Sequence, residues 1–228
     1  MSFRVPPRRV GVGRGICFCL ALKWSIEVVR ETHESRVTSH VSVITVFGSA
    51  RTAPGTEAYE TARQLGELLA RAGFSVATGG YGGTMEAVSH GAREAGGRVI
   101  GVTAEAFRSA ANAWVEEEIR VKTWQERLFK LVELGAGYVV LPGGTGTLVE
   151  LAVVWEWLNK GFLRVKPFVI LGDFWLPVVN AIPASELHSN PILRATSPEE
   201  AVKLLRHYIG ETPEKVEPRT EERKSKSS

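Results

Sequence analysis

The segment from Tyr138 to Glu150, YVVLPGGTGTLVE, is the clearest indication of the fold class of this chain. Its apolar start predicts a buried strand, its glycines predict a turn, and Leu151 to Asn159 continues as a helix. A strand that enters a helix through a glycine turn presents free backbone N–H groups and the positive end of the helix dipole, which suits a phosphate. We expect the phosphate to be held by the residues of the turn, which are Gly143, Gly144, Thr145, Gly146 and Thr147.

Glu150 is unusual because it places a carboxylate one turn inside a helix whose start attracts anions. Gly146 and Glu150 are four residues apart, so they share one helix face and lie about 6 Å apart along the axis. That separation is similar to the one between the 5′-phosphate and the anomeric carbon of a nucleotide. The stretch therefore indicates chemistry at a glycosidic bond. The alternative is a common glycine turn followed by an acidic residue that only complements the helix dipole.

The charge distribution argues against a nucleic-acid partner. The 228 residues carry 28 Lys and Arg against 25 Asp and Glu, yet residues 37–210 carry 16 basic and 17 acidic side chains. The basic excess lies within residues 1–36, whereas a domain that binds nucleic acid is expected to carry its own. No run of 18 apolar residues occurs, so we expect no membrane-spanning segment.

Apolar strands and amphipathic helices alternate along residues 41–210. We predict strands at 41–47, 74–77, 98–102, 138–141 and 167–171, and helices at 56–72, 85–95, 124–134, 151–159, 176–181 and 198–209. This alternation predicts one α/β domain built on a doubly wound, Rossmann-like parallel sheet with helices on both faces.

Three loops rich in small residues follow predicted strands, so they should meet at the carboxyl edge of the sheet, where ligands bind in such folds. One is the turn after Pro142. The other two supply the substrate-binding candidates Gly48, Ser49, Gly79, Gly80, Gly83, Thr84, Met85 and Glu86.

Both ends of the chain lie outside this predicted domain. We expect residues 1–40 to form a flexible extension and residues 211–228, which are highly charged, to be disordered. The segment from Ile16 to Trp24 loosely resembles a secretion signal, but a lysine interrupts it and no small-residue cleavage site follows. We therefore expect a cytoplasmic protein. Cys17 and Cys19 alone can build neither a disulfide framework nor a zinc site.

The predicted domain offers few groups for catalysis. Its only Asp is Asp173, and no cluster has metal-ligand spacing, so we expect no metal. The dinucleotide fingerprint and the P-loop lysine are both absent, so we also expect no cofactor. Two charged candidates remain near the ligand edge, Glu150 and Arg127. Composition alone favours a solvated helix face for Arg127, where it would pair with Glu126 or Glu133.

With these residues the chain resembles the LOG (Lonely Guy) family of nucleoside 5′-monophosphate phosphoribohydrolases. The family signature Pro-Gly-Gly-x-Gly-Thr-x-x-Glu matches residues 142–150 at every fixed position. The family's catalytic arginine precedes the signature by fifteen residues, which is Arg127 here. The resemblance covers residues 41–185 and implies that Arg127 and Glu150 are catalytic, contrary to the solvated-face interpretation.

The resemblance also implies a homodimer that needs no metal and hydrolyses the base–ribose bond of a nucleoside monophosphate, either a cytokinin riboside 5′-monophosphate or AMP. Relatives of this fold that carry molybdenum cofactor give an alternative, a non-enzymatic carrier. Where the family has Leu-Met-Gly this chain has Thr84-Met85-Glu86, so a carboxylate is added near the expected pocket. We expect base selection to depend on residues 81–86 and 104–115, with Tyr81, Phe107 and Trp114 as candidate walls.

Overall fold

The computed structural model describes residues 41–187 and 192–210. The extension predicted at 1–40, with its two cysteines, and the tail predicted at 211–228 lie outside the described residues. Within the described part, no helix is both long and apolar enough to cross a bilayer.

Seven strands form one sheet among the described residues, and every neighbouring pair is parallel. The strands are β1 Val43–Phe47, β2 Ser75–Thr78, β3 Val99–Ala104, β4 Glu117–Val121, β5 Gly137–Val140, β6 Phe168–Leu171 and β7 Leu193–Ala195. Their order across the sheet is β4-β3-β2-β1-β5-β6-β7, so the chain runs outward from β1 in one direction and then returns to continue from β5 in the other. The predicted doubly wound parallel sheet is confirmed.

Six α-helices connect or follow these strands in the described part. They are α1 Glu57–Arg71, α2 Thr84–Glu94, α3 Trp124–Leu134, α4 Thr145–Asn159, α5 Leu176–Asn180 and α6 Pro198–Gly210. Single 3₁₀ turns occur at Glu105–Phe107 and Ala184–Glu186.

The sheet separates two hydrophobic clusters because successive side chains of a strand point to opposite faces. In β5, Tyr138 and Val140 join the cluster under α3 and α4. Val139 and the following Leu141 join the cluster under α1, α2 and α6. All four are almost fully buried, which explains why the strand is an unbroken apolar run rather than an alternating one.

The sequence-based prediction missed two strands, and their composition explains why. Strand β4, with the sequence EEIRV, lies at one edge of the sheet and alternates half-buried with exposed positions, so it lacks the apolar run of an inner strand. Strand β7 forms the other edge and has three residues. Helix α4 begins at Thr145, six residues before the predicted start. The prediction began too late because the glycine and threonines of the first turn are weak helix formers.

Candidate active site

Three loops meet at the carboxyl ends of β1, β2 and β5, where the strand order reverses. The N–H of Ser49, after β1, donates to the carbonyl of Pro142, after β5, at 3.1 Å. The carbonyl of Ser49 accepts from the N–H of Thr84, at the start of α2, at 2.8 Å. The loops after β1 and β2 can approach closely because residue 83 is a glycine. Gly83 has a φ of 71°, and a Cβ there would overlap the Ser49 carbonyl. These bonds fix the loops as one rim around a cavity.

The cavity at this edge has a volume of about 610 Å³ and holds most of the residues predicted from sequence. It is lined by Gly48, Ser49, Ala50, Arg51, Tyr81, Met85, Phe107, Ser109, Trp124, Arg127, Gly144, Thr145, Gly146, Thr147 and Glu150. Its size falls in the range of small-molecule sites.

The start of α4 enters the cavity without a capping side chain. Gly144 is the N-cap, and the first turn has no acidic residue. The first hydrogen bond of the helix runs from the N–H of Leu148 to the carbonyl of Gly144, at 3.0 Å. The N–H groups of Thr145, Gly146 and Thr147 therefore point out of the helix end, where the dipole favours an anion.

The glycines of this turn have different roles. A Cβ on Gly144 or Gly146 would meet nothing within 4 Å, so both border open space in the cavity. A Cβ on Gly143 would overlap the hydroxyl of Thr147, which is buried. Gly143 does not line the cavity and instead lets Thr147 pack at the base of the turn.

Glu150 and Arg127 form an ion pair on the cavity wall. Arg127 Nη1 lies 3.8 Å from Glu150 Oε1, and the two side chains are 7% and 14% exposed. The solvated-face interpretation of Arg127 is wrong, because both of its expected partners are engaged elsewhere. Glu126 closes a capping box with Thr123 at the start of α3, and Glu133 pairs with Lys130. Neighbouring helices α3 and α4 therefore each contribute one charge to the cavity.

The Arg127 guanidinium makes few hydrogen bonds and lies close to two aromatic rings. Its Nε donates to the carbonyl of Val102 at 2.8 Å, while its central carbon lies 5.3 Å from the ring centre of Tyr81 and 5.6 Å from that of Phe107. Such cation–π contacts stabilise a cation that has left water. Gly79 leaves the room that this arrangement needs, because a Cβ there would overlap Arg127 Nη2.

Burial shifts the protonation equilibria of both members of the pair. It raises the pKa of Glu150 to about 7, and the positive charge of Arg127 partly offsets this rise. Burial also lowers the pKa of Arg127, against the opposing effects of Glu150 and Tyr81. A carboxyl group that titrates near neutrality can both hold and release a proton under physiological conditions.

Several predicted substrate-binding residues support the cavity from behind instead of lining it. Thr84 is buried against Gly48 and shares a hydrogen bond of 2.9 Å with Thr52. Gly79, Gly80 and Gly83 do not line the cavity either. Glu86 lines a separate hollow of about 320 Å³ that shares Tyr81 and Ser109 with the main cavity.

The segment predicted to cover the pocket does so only in part. Phe107 and Ser109 line the cavity, whereas Trp114 stacks on His90 with ring centres 3.9 Å apart, away from it. Sequence reasoning missed Arg51 and Trp124. Arg51 follows the Gly48 loop directly, and Trp124 precedes Arg127 by three residues on the same helix, so each had a positional signal.

The fold and cavity together define a Rossmann-like α/β protein with a cavity at its topological switch point, where ligands bind in such folds. A family model described as the SLOG cluster4 family matches residues 41–202. The chain therefore belongs to the SLOG cluster4 family, and its predicted kinship with LOG sequences is confirmed by named relatives.

Two of these relatives have matching names. The chain is 33% identical over 145 residues to a protein of Rhodococcoides fascians named cytokinin riboside 5′-monophosphate phosphoribohydrolase, covering 61% of this chain and 73% of that protein. It is 30% identical over 164 residues to the Oryza sativa subsp. japonica protein named cytokinin riboside 5′-monophosphate phosphoribohydrolase LOG, covering 67% of each.

A solved structure with a different description also shares the fold. The molybdenum cofactor binding protein from the phototrophic bacterium Rippkaea orientalis aligns with a TM-score of 0.61 at 28% identity, over 75% of this chain and 99% of that one.

Proposed function

We propose that this protein hydrolyses the N-glycosidic bond of a nucleoside 5′-monophosphate to the free base and ribose 5-phosphate, with AMP or a cytokinin riboside 5′-monophosphate as substrate. The observation that carries the proposal is the buried pair of Glu150 and Arg127 in the same cavity as the uncapped start of α4. The names of the relatives at 30% and 33% identity support the same reaction.

In this proposal the 5′-phosphate binds at the start of α4. The backbone N–H groups of Thr145, Gly146 and Thr147 donate to its oxygens, and the helix dipole adds to the attraction. The open space beside Gly144 and Gly146 allows the phosphate to approach the backbone. Binding there brings the ribose over the first turn of α4, toward Glu150.

The chemical step separates charge at the anomeric carbon. When the bond to the base nitrogen breaks, its electron pair leaves with the base and the ribose becomes oxocarbenium-like. The Glu150 carboxylate stabilises that cation and accepts a proton from the water that adds to the anomeric carbon. Glu150 then releases this proton to solvent and the departing base takes one from solvent, so AMP and water give adenine and ribose 5-phosphate.

Arg127 supports both ends of this step. Its Nη1 faces Glu150 and fixes the carboxylate. Among the described residues, Nε donates to the Val102 carbonyl, and Nη2 contacts the sulfur of Met85, a weak acceptor, at 3.7 Å. In this proposal Nη2 donates to the departing base.

Release of free base tests the proposal. The purified protein is incubated with AMP and with isopentenyladenosine monophosphate, and base and ribose 5-phosphate are separated by chromatography. Glu150→Ala should lower the rate by about 10²–10⁴-fold, as expected for loss of an acid–base group. Glu133→Ala, which removes an exposed glutamate of α3 that does not line the cavity, should leave the rate unchanged. Release that persists undiminished in Glu150→Ala would contradict the mechanism.

A carrier that holds a phosphorylated cofactor without converting it is the second candidate. The likeness to the molybdenum cofactor binding protein favours it, because the start of α4 suits any phosphate. A carrier has no need of Glu150 and Arg127 paired beside that site, which ranks it second. A bound phosphorylated ligand that is recovered unchanged after long incubation, with no ribose 5-phosphate formed, would favour the carrier.

A further inference from the structure

Three aromatic side chains line the cavity, and they differ in how far their rings are already engaged. They are Tyr81 from the loop after β2, Phe107 from the 3₁₀ turn after β3, and Trp124 from the first turn of α3. A nucleotide base that enters an aqueous cavity gains most by stacking on such a ring. Which ring is available therefore decides where a base can lie.

Tyr81 is held on several sides. Its hydroxyl accepts from the N–H of Ala104 at 2.9 Å and lies 3.2 Å from the carbonyl of the same residue. The main chain of Tyr81 is also fixed, because its carbonyl accepts from the side-chain amide of Asn112 at 2.9 Å. One face of its ring is directed at Arg127.

The ring of Phe107 also contacts the Arg127 guanidinium. Its ring meets Tyr81 edge to face, with ring centres 5.7 Å apart and planes at 83°, and it lies over Arg127 on a second side. Tyr81 and Phe107 therefore form a bracket for the guanidinium. Stacking a base on either ring would compete with a cation–π contact that stabilises a buried charge.

The ring of Trp124, by contrast, has no cation–π contact among the described residues. The residue is 36% exposed, and among the described residues its side chain has neither a ring partner nor a hydrogen bond. It precedes Arg127 by three residues on α3, so the two share one helix face about 4.5 Å apart along the axis. Trp124 is therefore one turn away from the charge that contacts Glu150.

We propose that Trp124 is the stacking platform for the base of the nucleotide. The inference rests on the proposed function for the identity of the ligand and adds the residue that binds its base. The large indole face favours a purine over a pyrimidine, because stacking gains with the area of the two rings.

The experiment compares a ligand that has a base with one that lacks it. The dissociation constants of AMP and of ribose 5-phosphate are measured by calorimetry in the Glu150→Gln background, which prevents turnover. Trp124→Leu is compared with Trp124→Phe, which keeps a smaller aromatic face. Tyr208→Leu serves as the matched control, because Tyr208 is 42% exposed on α6 and that helix supplies nothing to the cavity.

Trp124→Leu should weaken AMP binding by about 10-fold or more and change ribose 5-phosphate binding by less than about twofold. Trp124→Phe should recover most of the loss, and Tyr208→Leu should change neither ligand. An unchanged AMP affinity in Trp124→Leu would overturn the platform. So would an equal loss for both ligands, because damage to the phosphate site or the fold would explain it.

Turnover is then measured with proteins that keep Glu150, with and without Trp124→Leu. This measurement separates the inference about Trp124 from the proposed function. AMP binding that depends on Trp124, without any release of base, would overturn the hydrolase and leave the platform standing. Release of base by Trp124→Leu with an unaltered KM would overturn the platform and leave the hydrolase standing.

Discussion

At the scale of single residues, the pair of Arg127 and Glu150 is a compromise between burial and attraction. Removal from water disfavours both charges, and each charge partly compensates the other. The carboxyl group therefore titrates near neutrality, where a catalytic base is most effective. The aromatic bracket of Tyr81 and Phe107 helps to keep the guanidinium charged without engaging its other N–H groups.

The pH dependence of activity should report Glu150. Its carboxylate is the active form, so kcat/KM for AMP should rise with pH until about 7. Arg127→Gln removes the charge that lowers the pKa of Glu150, so the rising limb should move to higher pH, while Arg127→Lys should keep it near its original position. The substrate phosphate also titrates in this range, but equally for all variants. If kcat/KM rises over the same pH range in Arg127→Gln and in the unchanged protein, the rise does not report the pKa of Glu150.

The stability of the fold should depend on the same carboxyl group. Its pKa in the folded state, about 7, lies above the value of 4.5 that it has without burial, so the folded state binds the proton more tightly. The destabilisation that this burial causes is absent below pH 4.5 and is fully expressed above pH 7. The difference in Tm between Glu150→Gln and the unchanged protein should therefore become more favourable to the variant from pH 4.5 to pH 8.

Thermal unfolding followed at several pH values checks this prediction. Glu133→Gln is the control, because its carboxylate is exposed on α3 and lines neither the cavity nor the groove beside α4. A Tm difference for Glu150→Gln that stays constant over the pH range would show that burial does not shift the carboxyl group in the native protein.

At the scale of elements, the loop between β2 and α2 makes room for α3. Gly79 lies against the Arg127 guanidinium, where a Cβ would overlap Nη2. Gly82, in the same loop, would place a Cβ in ordinary contact with Glu86 and Ala50, at 3.8 and 3.9 Å. A methyl group at Gly79 would therefore disturb Arg127, whereas one at Gly82 in the same loop would not.

We predict that Gly79→Ala lowers kcat strongly whereas Gly82→Ala leaves it near its original value. The added methyl group in Gly79→Ala must displace Arg127 from Glu150, and misplacement by about 1 Å can cost 10²-fold in rate. Rates of base release from AMP are the measurement, with circular dichroism to show that both variants fold. Similar rates for the two variants would show that the position of Arg127 does not limit catalysis.

At the scale of the whole molecule, α4 has an apolar outer side as well as an apolar inner side. A groove of about 490 Å³ runs beside it and is lined largely by apolar side chains, among them Leu148, Ala152, Trp155, Val178 and Ile182. A helix that is apolar all round is usually covered on both sides. The homodimer implied by the LOG resemblance would cover this groove with a second copy.

We predict that the protein is a dimer and that Ala152→Arg converts it to a monomer. The arginine would place a charge inside the apolar contact. Light scattering after size-exclusion chromatography gives the mass. Val165→Arg is the matched control, because Val165 is apolar and exposed but outside the groove. A monomeric unchanged protein, or a dimeric Ala152→Arg, would exclude this face as the interface.

The five inner strands of the sheet and the glycine turn at the start of α4 could be predicted from the sequence alone. Both depend on local signals, namely unbroken apolar runs such as Tyr138 to Leu141 and the glycines that follow them. Strand β4 lacked such a signal, because it lies at the edge of the sheet and charged side chains occupy its exposed positions.

Which side chains face one another across the cavity depends on how the helices and loops pack in space. Arg127 and Glu150 are 23 positions apart, and they become an ion pair because α3 and α4 cover the same hydrophobic cluster on one face of the sheet. The same packing engages Tyr81 with Arg127 and leaves Trp124 open, which no periodicity in the chain encodes. The shift in the pKa of Glu150 has the same origin, since desolvation depends on the surroundings of a group in space and not on its neighbours in sequence.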